Sequence, residues 1–159
     1  VKLQMLSEQY YLPKALHPFI NQVKQKYTAE ITMAKCHPMF HHEYALSKLH
    51  QQGYKIAVCS NSIRATIEMM MQKAELTDYL DLIVSNEDVT KAKPDPEMYV
   101  TAIRKFGLAP EECLVVEDNP NGIAAGRASG AHVLPVGTVY DVNYENITAC
   151  IEKCEGGHE

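Results

Sequence analysis

Four short apolar segments constrain the fold of this chain more than any other feature of its sequence. They cover residues 54–59, 79–85, 114–116 and 131–136, and helix-like segments separate them. Strands that alternate with helices predict right-handed crossovers and a parallel sheet. The strands are apolar along most of their length rather than alternating, which indicates helices on both faces. The predicted fold class is α/β, with a Rossmann-like parallel sheet.

The spacing of apolar residues also predicts the helices. Two are expected before the first strand, over 18–35 and 39–52, and later ones over 63–74, 98–106 and, after a turn at 119–122, the small residues 124–130. Gly53 and Gly107 are expected to end the helices that precede them. Residues 28–35 alternate apolar and polar positions and are a candidate strand, although the longer pattern favours a helix there.

Composition excludes several classes of function. The chain has 159 residues, a net charge of −5 and no block of Lys and Arg, so a nucleic-acid surface is not expected. No apolar run reaches the roughly 20 residues that a membrane helix needs, so no membrane partner is expected. Its five dispersed cysteines favour a reducing, cytoplasmic setting.

Polar residues follow three of the four predicted strands, either directly or in the next loop. They are Ser60 with Asn61, Lys93, and Glu117 with Asp118. In an open parallel sheet, ligands bind beyond the carboxyl ends of the strands. Taken singly, Ser60 is as well explained as a helix cap, Asp118 as part of a turn and Lys93 as a solvated lysine. Their joint placement predicts one site.

The residue types in this set suit phosphoryl transfer. Two adjacent carboxylates are costly to bury unless a cation pairs with them, and Mg²⁺ prefers carboxylate, water and substrate oxygens. Ser60 and Asn61 can donate hydrogen bonds to phosphate oxygens, and Lys93 adds a positive charge. By contrast, Cys36, His37, His41 and His42 lack a second ligand pair at known spacing and are interpreted as ordinary side chains rather than as a zinc site.

Three motifs, in order, resemble the haloacid dehalogenase superfamily, nearest its β-phosphoglucomutase and phosphoglycolate phosphatase branch. They read KIAVCSNS, KAKPDPEMY and LVVEDNPNGIAAGRASG. The resemblance implies Ser60 and Lys93 as catalytic residues, Asn61 as a further phosphate-binding residue, and Glu117 and Asp118 as ligands of Mg²⁺. The implied substrate is a small phosphorylated metabolite.

One part of the family pattern is not found. Family members begin with a central strand that ends in Asp-x-Asp, whose first aspartate is the nucleophile, and residues 1–52 contain no aspartate. We therefore expect residues 1–35 to be a remnant of a helical cap and residues 36–159 to form the α/β core without its usual first central strand. A gap is then expected between the strands that precede Ser60 and Glu117.

Two hypotheses about function follow. The first is a Mg²⁺-dependent phosphatase or phosphomutase, inactive as this isolated chain because the nucleophile is absent. The second is a non-catalytic module that binds phosphate and Mg²⁺, or that pairs through its exposed sheet edges. Such edges favour a homodimer or a complementing chain as partner.

Overall fold

The computed structural model describes residues 2–156. It divides into two compact units, Val1–Cys36 and His37–Glu159. None of the helices among the described residues is both long and apolar enough to cross a membrane. The interpretation of the first unit as a cap remnant stays a prediction.

The first unit consists of two helices joined by one 3-10 turn. Helix α1 covers Lys2–Tyr10, the turn covers Lys14–Leu16, and α2 covers His17–Lys35. Ser7 Oγ and His17 Nε2 lie 2.7 Å apart and connect the two helices. Thr32 is the one buried residue among those described in this unit. Residues 28–35 lie in α2 rather than in a strand, as the longer pattern predicted.

The second unit contains four strands and five helices among its described residues. In chain order they are α3 (Phe40–Gln51), β1 (Ala57–Cys59), α4 (Arg64–Lys73), β2 (Leu82–Val84), α5 (Glu97–Phe106), β3 (Leu114–Glu117), α6 (Pro120–Ala128), β4 (His132–Pro135) and α7 (Tyr144–Glu155). Short 3-10 turns cover Thr77–Tyr79, Pro110–Glu112 and Val139–Asp141. The predicted order of elements is confirmed, although most strands are shorter than their apolar segments.

The strands form two separate parallel pairs rather than one continuous sheet. Strand β1 pairs with β2, with Ala57 opposite Leu82, and β3 pairs with β4, with Leu114 opposite His132. Within the described part of the chain, no strand joins β1 to β3. The α/β fold with an absent central strand is thus as predicted.

A cleft of about 920 Å³ separates the two pairs, and residues of both β1 and β3 line it. Helices cover the sheet pairs on both faces. Leu114 and Val116 pack with the α3–α7 cluster, whereas Val115 packs with Tyr99 and Ile103 of α5. Because neighbouring strand residues point to opposite faces, α3 and α7 lie on one face and α5 on the other.

One local prediction is wrong. Residues 119–122 were predicted to form a turn, but helix α6 begins at Pro120. Asn119 is the N-cap, since its side chain accepts a hydrogen bond from the Asn121 N–H at 2.9 Å, and Pro120 takes the first helical position, where no N–H is required. The same Asn-Pro-Asn-Gly residues that favour a turn therefore start a helix.

Candidate active site

Lys93 is the centre of a nearly buried polar cluster at the carboxyl ends of β1 and β3. Its ammonium group donates to the Cys59 carbonyl at 3.2 Å, to the Tyr99 hydroxyl at 3.2 Å and to Glu117 Oε1 at 2.5 Å. Only 10% of the Lys93 side chain is exposed, and 11% of that of Glu117. An ammonium group has three donors, and all three are used here. Lys93 is therefore held in one position.

Asn61 fixes the loop that carries Lys93. Its Oδ1 accepts a hydrogen bond from the Lys93 N–H at 3.1 Å, and its Nδ2 donates to the Lys93 carbonyl at 3.3 Å. The Lys93–Pro94 peptide bond is cis. The loop after β1 thus positions the backbone of the loop after β2, which brings two of the three predicted sets of polar residues together.

Ser60 follows β1 directly and is half-buried. Its hydroxyl accepts a hydrogen bond from the Ser62 N–H at 3.2 Å. Helix α4 begins later, at Arg64, and has Ile63 as its N-cap, so Ser60 is not the helix cap that its residue type permits. A hydroxyl that accepts from Ser62 keeps its own proton to donate to another acceptor.

Glu117 accepts four hydrogen bonds. Lys93 and the Tyr99 hydroxyl, the latter at 3.0 Å, bind Oε1, and the N–H groups of Asp118 and Asn119 bind Oε2 at 3.1 and 3.0 Å. Burial raises the pKa of this carboxyl, but the hydrogen bonds from Lys93 and from the Asn119 N–H outweigh it and hold the pKa below its usual range. Of the paired acids, Glu117 is thus the one with a cationic partner.

Gly122 lies against the carboxylate of Glu117. A Cβ built at this position overlaps the Glu117 side chain. Since Gly122 belongs to the first turn of α6, the helix approaches the carboxylate closely only because this residue has no side chain. The identity of residue 122 therefore sets the position of Glu117.

Asp118 differs from Glu117 in that it is exposed. The carboxylates of Glu117 and Asp118 are ligands of the type that Mg²⁺ prefers, together with water and phosphate oxygens. Asp118 is the carboxylate that can bind it directly, whereas Glu117 would first give up one of its hydrogen bonds. Among residues 2–156, no group of three or more His, Cys, Asp or Glu side chains is placed to hold a metal ion. Further ligands would come from water, substrate or another segment.

Cys59, the last residue of β1, lies near the cluster but is not an available nucleophile. Burial raises the pKa of its thiol to about 12, and the positive charge of Lys93 only partly offsets this effect. A thiol with such a pKa stays protonated at neutral pH and reacts poorly. Cys59, Cys113, Cys150 and Cys154 are free thiols.

Sequence reasoning missed two residues of the site, Tyr99 and Gly122. Tyr99 lies six positions after Lys93 in the motif KAKPDPEMY, between β2 and β3, and its hydroxyl joins Lys93 to Glu117. Tyr99 is buried in α5. The signal available in the sequence was the residue type itself, because the hydroxyl of a buried tyrosine usually needs a hydrogen-bond partner. Gly122 followed an asparagine and was interpreted as part of a turn.

The comparisons with known proteins identify a family. A family model described as haloacid dehalogenase-like hydrolase matches residues 1–136. Pyrophosphatase PpaX of Bacillus mycoides is 28% identical over 139 residues, which cover 79% of this chain and 64% of that protein. The phosphoglycolate phosphatase of Nitrosospira multiformis is 36% identical over 91 residues, or 57% of this chain and 40% of that protein.

A solved structure shares the fold. The β-phosphoglucomutase of Clostridium difficile superposes with a TM-score of 0.72 at 21% identity, over 92% of this chain and 63% of that one. This chain spans less than two thirds of the length of each of the curated relatives named above, 64% in one case and 40% in the other.

Proposed function

The chain belongs to the haloacid dehalogenase-like hydrolases, and on that premise we propose that its site binds Mg²⁺ and the phosphoryl group of a small phosphorylated metabolite. In this proposal the reaction type is that of a phosphatase or phosphomutase. Ser60 donates to phosphate oxygens, and Lys93 and Asn61 bind them by exchanging hydrogen bonds that they now make within the protein. Asp118, with Glu117 beside it, binds the metal ion. Mg²⁺, when bound, would neutralise charge on the phosphoryl oxygens.

The observation that carries the proposal is the convergence of the ends of β1 and β3 on Lys93. Asn61 holds its backbone, and the Cys59 carbonyl and Glu117 hold its ammonium group. A cation held nearly buried beside an exposed carboxylate suits an anionic ligand that arrives with a divalent cation. The relatives named as pyrophosphatase and phosphoglycolate phosphatase support a phosphorylated ligand.

We further propose that these 159 residues alone do not turn over a phosphate ester. Covalent phosphoryl transfer in this family needs an aspartate nucleophile, and residues 1–52 contain none. Cys59 is held protonated and does not replace it. The nucleophile would therefore come from a further segment of polypeptide that is not among these 159 residues. The cytoplasmic setting is part of the proposal, supported by the free thiols of Cys59, Cys113, Cys150 and Cys154.

The second candidate function is a non-catalytic module that binds phosphate and Mg²⁺ or pairs through its sheet edges. The separation of β1 from β3 favours it, because two strand edges face an open cleft. The two candidates share the anion site and differ in whether an added Asp-x-Asp segment restores turnover.

Binding is tested first, by calorimetry with inorganic phosphate and Mg²⁺. We expect both ligands to bind. The variant D118N should weaken the binding of Mg²⁺ without unfolding the chain. D78N is the matched control, since Asp78 is exposed in the Thr77–Tyr79 turn, away from the cluster. No binding of either ligand would overturn the proposed site.

Turnover is tested by measuring phosphate release from sugar phosphates and phosphoglycolate, with and without Mg²⁺. We expect none from the isolated chain. Clear Mg²⁺-dependent release would contradict the proposed inactivity, whereas release only after an Asp-x-Asp segment is added would favour the enzyme over the non-catalytic module.

A further inference from the structure

Helix α7 carries two cysteines, Cys150 and Cys154, that the proposed phosphoryl site does not use. We propose that their two thiols together form a covalent binding site for a trivalent arsenical, a soft ligand that two sulfur atoms bridge. The inference stands on the geometry of α7. It does not depend on phosphate or Mg²⁺ binding, or on what lies between β1 and β3.

The two thiols lie side by side. Residues four apart on a helix are neighbours on one face, and a side-chain hydrogen bond joins Cys150 to Cys154. Burial contributes most to the raised pKa of Cys150, followed by the charge of Cys154 and this hydrogen bond. Because a hydrogen bond that raises the pKa of a thiol is one that the thiol donates, Cys150 is the donor and the Cys154 sulfur is the acceptor.

The pair is half-buried at the border of the apolar face of α7. Ile147 and Ile151 pack in the cluster that joins α7 to α3, and each cysteine follows one of them by three positions. Cys154 also lines the cleft between β1 and β3, whereas Cys150 does not, so Cys150 is reached from outside the cleft. The positive charge of Lys153 favours the thiolate of Cys150, which is the reactive form.

The spacing of the two cysteines favours a bridging ligand over a disulfide. The Cβ atoms of residues four apart on a helix are about 5–6 Å from each other. A disulfide holds its two Cβ atoms about 3.8 Å apart, so a bond between Cys150 and Cys154 would distort the end of α7. An atom inserted between the two sulfurs spans the longer separation without that distortion.

The number of ligands favours arsenic over a metal ion. Among residues 2–156, no group of three or more His, Cys, Asp or Glu side chains is placed to hold a metal ion. A structural Zn²⁺ site has four protein ligands, which two thiols do not supply. The trivalent arsenic of an organic arsenical is soft, forms two bonds to sulfur on the same side of the atom and needs no other protein ligand.

The binding step balances without an oxidant. With phenylarsine oxide, two As–S bonds form, and the two thiol protons leave with the oxo oxygen as water. Arsenic stays trivalent and neither sulfur is oxidised. Once the first As–S bond has formed, the second thiol reacts intramolecularly, so the adduct on two thiols is held far more firmly than one on a single thiol.

The test uses phenylarsine oxide and the intact chain, with mass spectrometry of the intact protein as the readout. Glutathione, which has a single thiol, is titrated against the adduct, and the concentration that removes half of the adduct is compared between variants. C150S and C154S each remove one thiol of the pair. C113S is the control for a half-buried thiol outside α7.

A second control tests the geometry of the pair. The double variant E152C and C154S keeps two thiols in α7, but places them two positions apart, where side chains do not face each other. Glu152 is exposed, so its replacement leaves the core unchanged. Circular dichroism checks the fold of every variant.

We expect the parent chain and C113S to form an adduct that resists glutathione. In C150S, in C154S and in the double variant, about a hundredfold less glutathione should remove the adduct, because linking two binding groups adds at least about that factor. Oxidised glutathione should leave the pair reduced in the folded chain. Absence of an adduct on the parent, equal resistance of any variant that lacks the pair, or a disulfide between Cys150 and Cys154 would each overturn the proposal.

Discussion

Lys93 Nζ and Glu117 Oε1 lie 2.5 Å apart, although 24 positions separate the two residues in the chain. The pair joins the loop after β2 to the end of β3, and it closes the carboxyl end of the cleft. Each partner neutralises a charge that would otherwise be nearly buried alone, which is costly. This one contact therefore links the stability of the core to the position of the site.

Replacing Lys93 by methionine should lower the free energy of unfolding by about 3 kcal/mol, because Glu117 would keep a buried charge without its cationic partner. Urea denaturation measures the change. K91M is the matched control: Lys91 is 71% exposed and lies 3.7 Å from Asp95, so its loss should cost at most about 0.5 kcal/mol. Equal effects of the two variants would show that the Lys93 pair is solvated.

Adding a methyl group at Gly122 should displace Glu117. The new Cβ in G122A overlaps the carboxylate, so either the side chain moves or helix α6 shifts. We expect a loss of about 1–3 kcal/mol of stability, as for other overpacked sites, together with weaker phosphate binding. G156A is the control, since a Cβ there meets nothing within 4 Å. An unchanged affinity for phosphate would mean that the position of Glu117 does not matter for the anion.

Removing the Tyr99 hydroxyl should weaken the polar cluster around Lys93 without leaving a cavity in the hydrophobic core. The ring of Tyr99 packs among buried residues, and its hydroxyl donates to Glu117 at 3.0 Å while it accepts from Lys93 at 3.2 Å. Y99F should therefore cost about 1 kcal/mol, the contribution of one or two hydrogen bonds. The exposed Tyr27 supplies the control Y27F, which should change neither the denaturation midpoint nor phosphate affinity. If the denaturation midpoint of Y99F equalled that of Y27F, the Tyr99 hydroxyl would not stabilise the cluster.

Acid should destabilise the chain partly through Asp88. Its carboxylate accepts from the N–H and hydroxyl of buried Ser85, at 2.7 and 2.8 Å, and pairs with Arg64 at 2.8 Å. The N–H of Ser85 contributes most to holding the pKa of Asp88 below its usual range. A lowered folded pKa gives stability that is present above the unfolded value, about 3.9, and is lost as the pH falls through the folded value.

The variant D88N should therefore show a weaker dependence of stability on pH between about pH 5 and pH 2, because it no longer has this titrating group. Urea midpoints measured across that range test the effect. The exposed Asp78 gives the control D78N, whose curve should stay parallel to that of the parent chain. Parallel curves for both variants would show that Asp88 does not contribute to acid unfolding.

From the sequence alone, local patterns predicted the order and type of most elements, although they did not predict α1. Unbroken apolar runs predicted β1 to β4, and helical spacing predicted α2 to α5. The sequence also determined which polar residues follow the strands. The local sequence did not show where α6 begins, since Asn119 and Pro120 are suited equally to a turn and to the start of a helix.

Which of those polar residues come into contact depends on the tertiary structure. The pairing of Lys93 with Glu117, the bridging hydroxyl of Tyr99 and the close approach of Gly122 depend on how crossovers place strands that are distant in the chain. The spacing of residues along the chain does not indicate which distant residues come into contact. The separation of β1 from β3 is likewise a property of the assembled sheet, since hydrogen bonds between strands form only after the strands have been brought together.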